Sequence, residues 1–251
     1  MKRVFRKSEA NGPKRWYLNI DAIEERERLR EHFAPGLCSC KLFWVFLLTS
    51  AFGVFSETLF WYLRTGQIES RSTFVWAPLN MVYGVGGVIM TVILYRVRKR
   101  SVPLIFLIGM FVGCFVEFAC SYIQERVFSS VSWHYSDLMD IQGRTNLKYA
   151  FFWGVLSLFL LGFMYPVLSA SLLKIPRNTG RILTVILLVY ISINIGVTFF
   201  AVRRWAERKK DTQPVFTISR VLDQWFPDDF MEQLFPNLRF VSTEDKSHFS
   251  G

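Results

Sequence analysis

The sequence predicts a small all-α integral membrane bundle of about five transmembrane helices, and two observations carry that prediction. The charges avoid the middle of the chain: of 50 Lys, Arg, Asp and Glu in 251 residues, 15 lie in residues 1–40 and 16 in 203–251, leaving 19 for the 162 positions between. Within that middle, stretches of 20 residues or more carry no charge at all, and roughly 20 apolar helical residues are what a hydrocarbon core requires. The 51% hydrophobic fraction and net charge of +10 would suit a basic soluble domain on their own; their distribution excludes one. No segment shows the strand alternation of a membrane barrel, and no internal or inverted repeat is visible.

Taken in order, residues 1–40 form a charged N-terminal tail. It opens MKRVFRK and lacks the apolar core of a signal peptide. IEERERLR, from Ile23, mixes signs at helical spacing and predicts a surface helix leading into the first span. Residues 41–202 form the membrane domain. Its spans are 42–63, with one charge at Glu57; 72–95, uncharged; 102–124, with only Glu117; and 149–173 and 182–202, both uncharged. Pro78, Asn80 and Gly84 interrupt the first half of the second span, which predicts a broken or re-entrant start. Cys114 and Cys120 are expected to be small packing residues and Cys38 and Cys40 ordinary thiols, since no spacing suits a disulfide framework or a metal.

Loops 96–101 (RVRKRS) and 174–181 (KIPRNTGR) are basic and free of acids, so the positive-inside rule places them, with the N-terminus, in the cytoplasm. Five spans then send residues 203–251 to the other side, although that tail opens RRWAERKK and brings the two faces almost level in basic residues. Residues 214–240 set apolar positions at helical spacing, and Pro227 is placed to start a second short helix before Asp228 and Asp229. A segment of this kind lies on the membrane or packs on the bundle. The closing STEDKSHFSG is expected to have no fixed role.

The polar residues of the membrane domain are one-sided. Glu57 and Glu117 lie near the ends of spans that emerge on the same face. Arg71, Trp76, Pro78, Asn80 and Tyr83 open the second span from that face, and the long loop after the third span brings Glu125, Trp133, His134, Tyr135, Asp137, Asp140 and Arg144 to it. An uncompensated acid in a span costs roughly 2.5–3.5 kcal/mol, so it faces a partner, a cavity or water. Glu57, Arg71, Asn80, Tyr83, Glu117, Glu125, Trp133, Tyr135 and Arg144 are therefore the candidate cavity and substrate-binding residues. Arg71 or Arg144 is expected to pair with Glu57 or Glu117, because a guanidinium fork satisfies a carboxylate with two parallel hydrogen bonds. Gly53, one turn before Glu57, permits close helix approach.

The alternative is that Glu–Arg pairs only lock the bundle. Trp44, Trp61, Tyr62 and Trp205 are expected to form an ordinary interfacial belt. Tyr83-Gly84 with Gly86 and Gly87 fits helix packing or a bend better than a phosphate loop. His134 beside Glu125 and Asp137 could suggest a metal, but a lone histidine in a polar loop is usually just exposed, and no metal and no cofactor is expected.

These motifs, in order, carry a resemblance: G-x-x-x-E at Gly53–Glu57, Arg71 followed by APLNMVYGVG at 77–86, Glu117-x-x-x-Ser-Tyr-x-x-Glu125, WHYSDLMDIQGR at 133–144, and the span from Trp153 to Pro166. Over about residues 45–205 the chain resembles the ABC-transporter type IV, or CmpB, family of small bacterial membrane proteins. It departs from the family pattern at Val54, Ala77, Met81, His134 and Asp140. The resemblance implies a permease-like transport subunit in the bacterial cytoplasmic membrane, working in the lipid bilayer with a separate ATPase subunit. The chain itself has no GxxxxGK[ST] loop. No nucleic-acid partner is expected, and a homo-oligomer is compatible with the sequence. Transport of a polar or ionic solute competes with two other functions. One is an intramembrane lipid-modifying enzyme or lipid-binding protein that uses the glutamates and arginines; the other is a non-catalytic scaffold.

Overall fold

The computed structural model describes residues 20–241 apart from 30, 137, 138 and 215, so the tail segments 1–19 and 242–251 and Asp137 lie outside the described residues. The helices are α1 (Ile20–Leu29), α2 (Ser39–Thr65), α3 (Met81–Val97), α4 (Val102–Phe128), α5 (Leu147–Phe159), α6 (Tyr165–Leu172), α7 (Arg177–Arg208), α8 (Thr217–Trp225) and α9 (Asp228–Leu234). A π-helical turn, Leu160–Met164, joins α5 and α6 into one rod. There Tyr165 N–H reaches back five residues to Leu160 O, the relief expected just before Pro166, whose ring would clash in a regular ladder. Short strands β1 (Ser130–Val131), β2 (Asp140–Ile141), β3 (Thr145–Asn146) and β4 (Arg239–Phe240) form two antiparallel pairs, β1 with β4 and β2 with β3. Four helical rods, α2, α4, α5–α6 and α7, are long and apolar enough to cross a membrane, and the 17-residue α3 is a shorter apolar fifth. The protein is an all-α, multi-pass membrane protein.

Lipid tails give apolar helices no reason to leave lipid for one another, so association depends on close backbone approach and matched shapes. Glycines supply that approach here. A Cβ at Gly87 of α3 would strike Thr49 of α2, and one at Gly109 of α4 would strike Ser157 of α5. The YGVGG run is thus a packing face of α3.

The second span has the broken start that Pro78 and Asn80 predict. Residues 66–80 are not helical, and α3 begins only at Met81. Pro78 has no N–H to give a ladder, and the Asn80 side chain accepts from Val82 N and Tyr83 N, which starts the helix one residue later. Asn80 N donates to Ser50 O, 3.2 Å away in mid-α2, about 22 Å along the helix from Thr65. Irregular backbone therefore descends deep beside α2. Such backbone survives at membrane depth only when protein satisfies it, and it is satisfied. Thr73 N donates to Leu79 O (2.9 Å), Met81 N to Thr73 Oγ1 (2.8 Å), Val75 N to Thr198 Oγ1 (3.1 Å) and Trp76 N to Asn194 Oδ1 (3.3 Å).

Both ends of the bundle are closed by terminal segments: the helix expected on the surface, and the C-terminal segment, which takes the bundle-packed alternative. Helix α1 is docked. Glu27 forms a buried ion pair with Lys41 of α2, Glu24 binds Arg98 at 3.3 Å, and Glu31 just beyond α1 binds Arg177. His32 shares a 2.7 Å hydrogen bond with Leu172 O, and Phe33 lies over Gly180. The mixed-sign stretch is thus a plug whose acids neutralise the basic loops. At the far end of α7 the C-terminal segment folds back, burying Val75, Ala201, Trp205, Phe226, Met231 and Phe235 together. Trp205, 2% exposed, belongs to this core and not to an interfacial belt. Arg204 grips both oxygens of Asp223 (2.9 and 3.0 Å), and Arg208 binds Asp223 and Asp228 (both 2.6 Å).

Two outcomes are expected. Lys41→Met, which strands Glu27 among apolar groups, destabilises the protein by about 3–5 kcal/mol, read as a lowered unfolding midpoint in detergent. Burial alone would raise the Asp223 carboxyl, but hydrogen bonds and charge from Arg204 and Arg208 outweigh it and hold it below its ordinary value of 3.8. The docking it supports is complete above that value and is lost as pH falls through the lower folded one. Fluorescence of Trp205 and Trp225 should report this release in acid, and Asp223→Asn should show the loosened state already at neutral pH.

Candidate functional site

Glu117, on α4 and 5% exposed, is the centre of the polar group. Each carboxylate oxygen accepts one hydroxyl: Tyr135 donates to Oε1 and Thr145 to Oε2, both at 2.8 Å. The ring of Trp153 on α5 packs against α4 one turn before it, at Gly113. Local sequence puts these donors in place. Gln142 and Gly143 turn the β2–β3 hairpin with φ of 53° and 65°, Asp140 Oδ1 accepts from Gly143 N at 2.6 Å, and Tyr135 N donates to Gly143 O at 2.8 Å. Thr145 then directly precedes Asn146, whose side chain caps α5 through Tyr149 N. The Tyr135 ring stacks on that of Tyr149, centroids 4.5 Å apart.

The second acid is built the same way. Tyr83, freed into the first turn of α3 by the Asn80 cap, lays its ring in the notch at Gly53, one turn before Glu57 on α2. On α4, the Trp153 ring lies in the notch at Gly113, one turn before Glu117. Gly53-x-x-x-Glu57 and Gly113-x-x-x-Glu117 are thus two copies of one device: a glycine one turn before the acid seats an aromatic ring from the next helix. The rings of Tyr83 and Trp153 meet 5.4 Å apart and join the two units. Thr145, Tyr149 and Trp153 were absent from the sequence-derived set. The second G-x-x-x-E, at Gly113–Glu117, was the available signal for a matching aromatic partner.

The arginines do not go where the sequence suggested. Arg144 binds Glu125 through NH2 and Ser121 Oγ through NH1 (3.1 Å), lies over the Phe118 and Tyr122 rings, and presents its carbonyl to Trp133 Nε1 at 2.9 Å. Glu125 is eight residues past Glu117, about 12 Å nearer the end of α4, so a guanidinium entering from the loop meets it first. Arg71 binds Glu69 at 3.1 Å and stacks over Trp61 at 4.4 Å, while its carbonyl accepts from Asn80 Nδ2 at 3.2 Å. Glu117 is therefore held by neutral hydroxyl donors, and the two arginines are held by Glu69 and Glu125, nearer the surface. Trp44 also leaves the expected belt, donating to Thr184 Oγ1 at 2.9 Å. The His134 ring lies against Gly143, and among the described residues no group of His, Cys, Asp and Glu is arranged to hold a metal.

Removing the Glu117 donors tests this arrangement. Tyr135→Phe and Thr145→Val each cost about 1.5–3 kcal/mol, the range for a hydrogen bond to a charged group, measured as thermal or denaturant stability in detergent. Gly113→Leu, which expels the Trp153 ring, costs about 1–3 kcal/mol by overpacking.

Comparison with known proteins supplies the last observation. The sequence profile of the family described as "Putative ABC-transporter type IV" (ABC_trans_CmpB) matches residues 44–199. No curated protein and no solved structure matches the chain. The matched region starts five residues into α2 and ends within α7. It includes both glycine–aromatic–acid units and both arginines and leaves out α1 and the C-terminal cap. The chain belongs to the ABC-transporter type IV family.

Proposed function

We propose that this protein is a permease-like transport subunit of the bacterial cytoplasmic membrane, with a polar intramembrane site opening to one leaflet. Glu57 and Glu117 are its charged centre, Tyr83, Tyr135 and Trp153 its walls, and a small polar or cationic solute its cargo. One observation carries this proposal: among the described residues, neither intramembrane acid is ion-paired to a guanidinium. An acid held by hydroxyl donors keeps its attraction for a cation, and aromatic faces beside it add cation–π stabilisation of about 0.5–2 kcal/mol. Asn80, Glu125, Trp133, Arg71 and Arg144 act as positioning residues, fixing the α3 start and the 129–146 loop. With no nucleotide-binding loop in the sequence, energy would come from a separate ATPase. The docked α1 gives the basic-loop face a structured helix for such a subunit to engage.

The one-sidedness of the polar group favours a second reading, a lipid-modifying or lipid-binding protein opening to the same leaflet. Proteoliposome uptake separates the two. Protein reconstituted alone and with candidate ATPases should accumulate cationic solutes, and Glu57→Gln and Glu117→Gln should abolish uptake while the protein stays folded. No uptake under any condition, together with a lipid species lost in Glu117→Gln cells, would assign the lipid reading. Cysteine labelling at positions 98 and 136 from either side gives the orientation, with Arg98→Cys expected to label from the cytoplasm.

A further inference from the structure

Helix α8 divides by face. At 100° per residue, Ile218, Val221, Leu222 and Trp225 fall within an arc of about 100°, with Arg220 and Asp223 outside it. Leu222 turns toward the protein, against the cluster containing Phe226. The remaining apolar side chains do not: Phe216 is 69% exposed, Ile218 66%, Val221 38% and Trp225 63%.

Contacts to α7 fix the height of this face relative to the bilayer. The uncharged stretch of α7 ends at Val202. Arg204 and Arg208, which follow it within about 9 Å of helix, both bind Asp223 in the middle of α8. The end of α8 reaches deeper still. The Phe226 ring lies 6.3 Å from that of Trp76, and Trp76 is bonded through its backbone to Asn194 and Tyr190 of α7, 8 and 12 residues before Val202, or about 12–18 Å further into the apolar stretch. Trp76 itself is half-exposed on that side. An apolar helical face tethered at the end of a span and continuing into the lipid-facing surface has the phospholipid boundary as its neighbour. Phe and Trp are the residues suited to that depth.

We propose that α8 is an interfacial helix, with Ile218, Val221 and Trp225 inserted at the headgroup–acyl boundary of the leaflet at the C-terminal end of α7. Asp223 and Leu222 clamp it to the bundle from the other side. Strand β4, which follows α9, pairs with β1 at the root of the loop carrying Tyr135 and Arg144. Lipid contact at α8 thus braces the base of that loop, whatever the acids bind.

The test is spin-label accessibility in vesicles of phosphatidylcholine and phosphatidylglycerol. Cys38, Cys40, Cys114 and Cys120 are replaced by serine or alanine, and a nitroxide is placed by Val221→Cys, Trp225→Cys or, as the opposite-face control, Arg220→Cys. Unfolding temperatures matching the cysteine-free parent establish that each variant is folded. Labels at 221 and 225 should collide preferentially with oxygen, at a depth of about 5–10 Å, and the label at 220 preferentially with a water-soluble nickel chelate. Nickel preference at all three positions would overturn the proposal by placing the face in water. Shielding from both reagents, with spin–spin broadening that grows with protein density, would overturn it in favour of a second copy of the chain.

Discussion

Water does not reach the middle of a bilayer, so a polar atom placed there must find its partner inside the protein. Most of this structure follows from that constraint. It explains why the irregular segment before α3 bonds its N–H groups to Ser50, Thr73, Asn194 and Thr198, and why the carboxylate of Glu117 has a donor on each oxygen. The same constraint keeps Lys41 and Glu27 together where α1 meets the bundle. A soluble protein could leave any of these groups to solvent; this one satisfies them by drawing separate elements into contact, so polar satisfaction and tertiary packing are one process here.

The two glycine–aromatic–acid units show how the constraint becomes a site. A glycine one turn before the acid lets a neighbouring ring lie on the helix. At Glu117 two hydroxyl groups then supply the hydrogen bonds, so its place does not depend on a cation. Because Tyr83 and Trp153 touch, the units on α2 and α4 are joined through α3 and α5. The loop supplies Tyr135 and Thr145 from the opposite side. The outcome is a pair of buried acids placed by uncharged neighbours, with Arg144 and Arg71 held by Glu125 and Glu69 closer to the surface.

The ends of the bundle depend on ion pairs instead. At one end α1 and Glu31 just beyond it set acids against Lys41, Arg98 and Arg177; at the other Asp223 and Asp228 receive Arg204 and Arg208. Much of the basic charge flanking the spans is therefore already partnered within the chain. This is why counting lysines and arginines on the two faces separated them so poorly: part of that charge closes the protein and is not available to the membrane field.

Charge-free length was enough to establish the all-α membrane architecture, because the thickness of the hydrocarbon layer is a fixed ruler. The order of motifs was enough to indicate the family. Glu57 and Glu117 stood out because an acid in a span is costly wherever it sits, and Pro78 with Asn80 announced the broken start of α3. Their partners were a different matter. Which arginine meets which acid depends on the depth at which a loop enters, and α1, the C-terminal cap, Trp153 and Thr145 are brought in from distant parts of the chain. Linear spacing shows that a buried carboxylate must have a donor; only the packing of the 129–146 loop and α5 against α4 decides that the donors to Glu117 are a tyrosine and a threonine, because hydrogen bonds are satisfied by proximity in space.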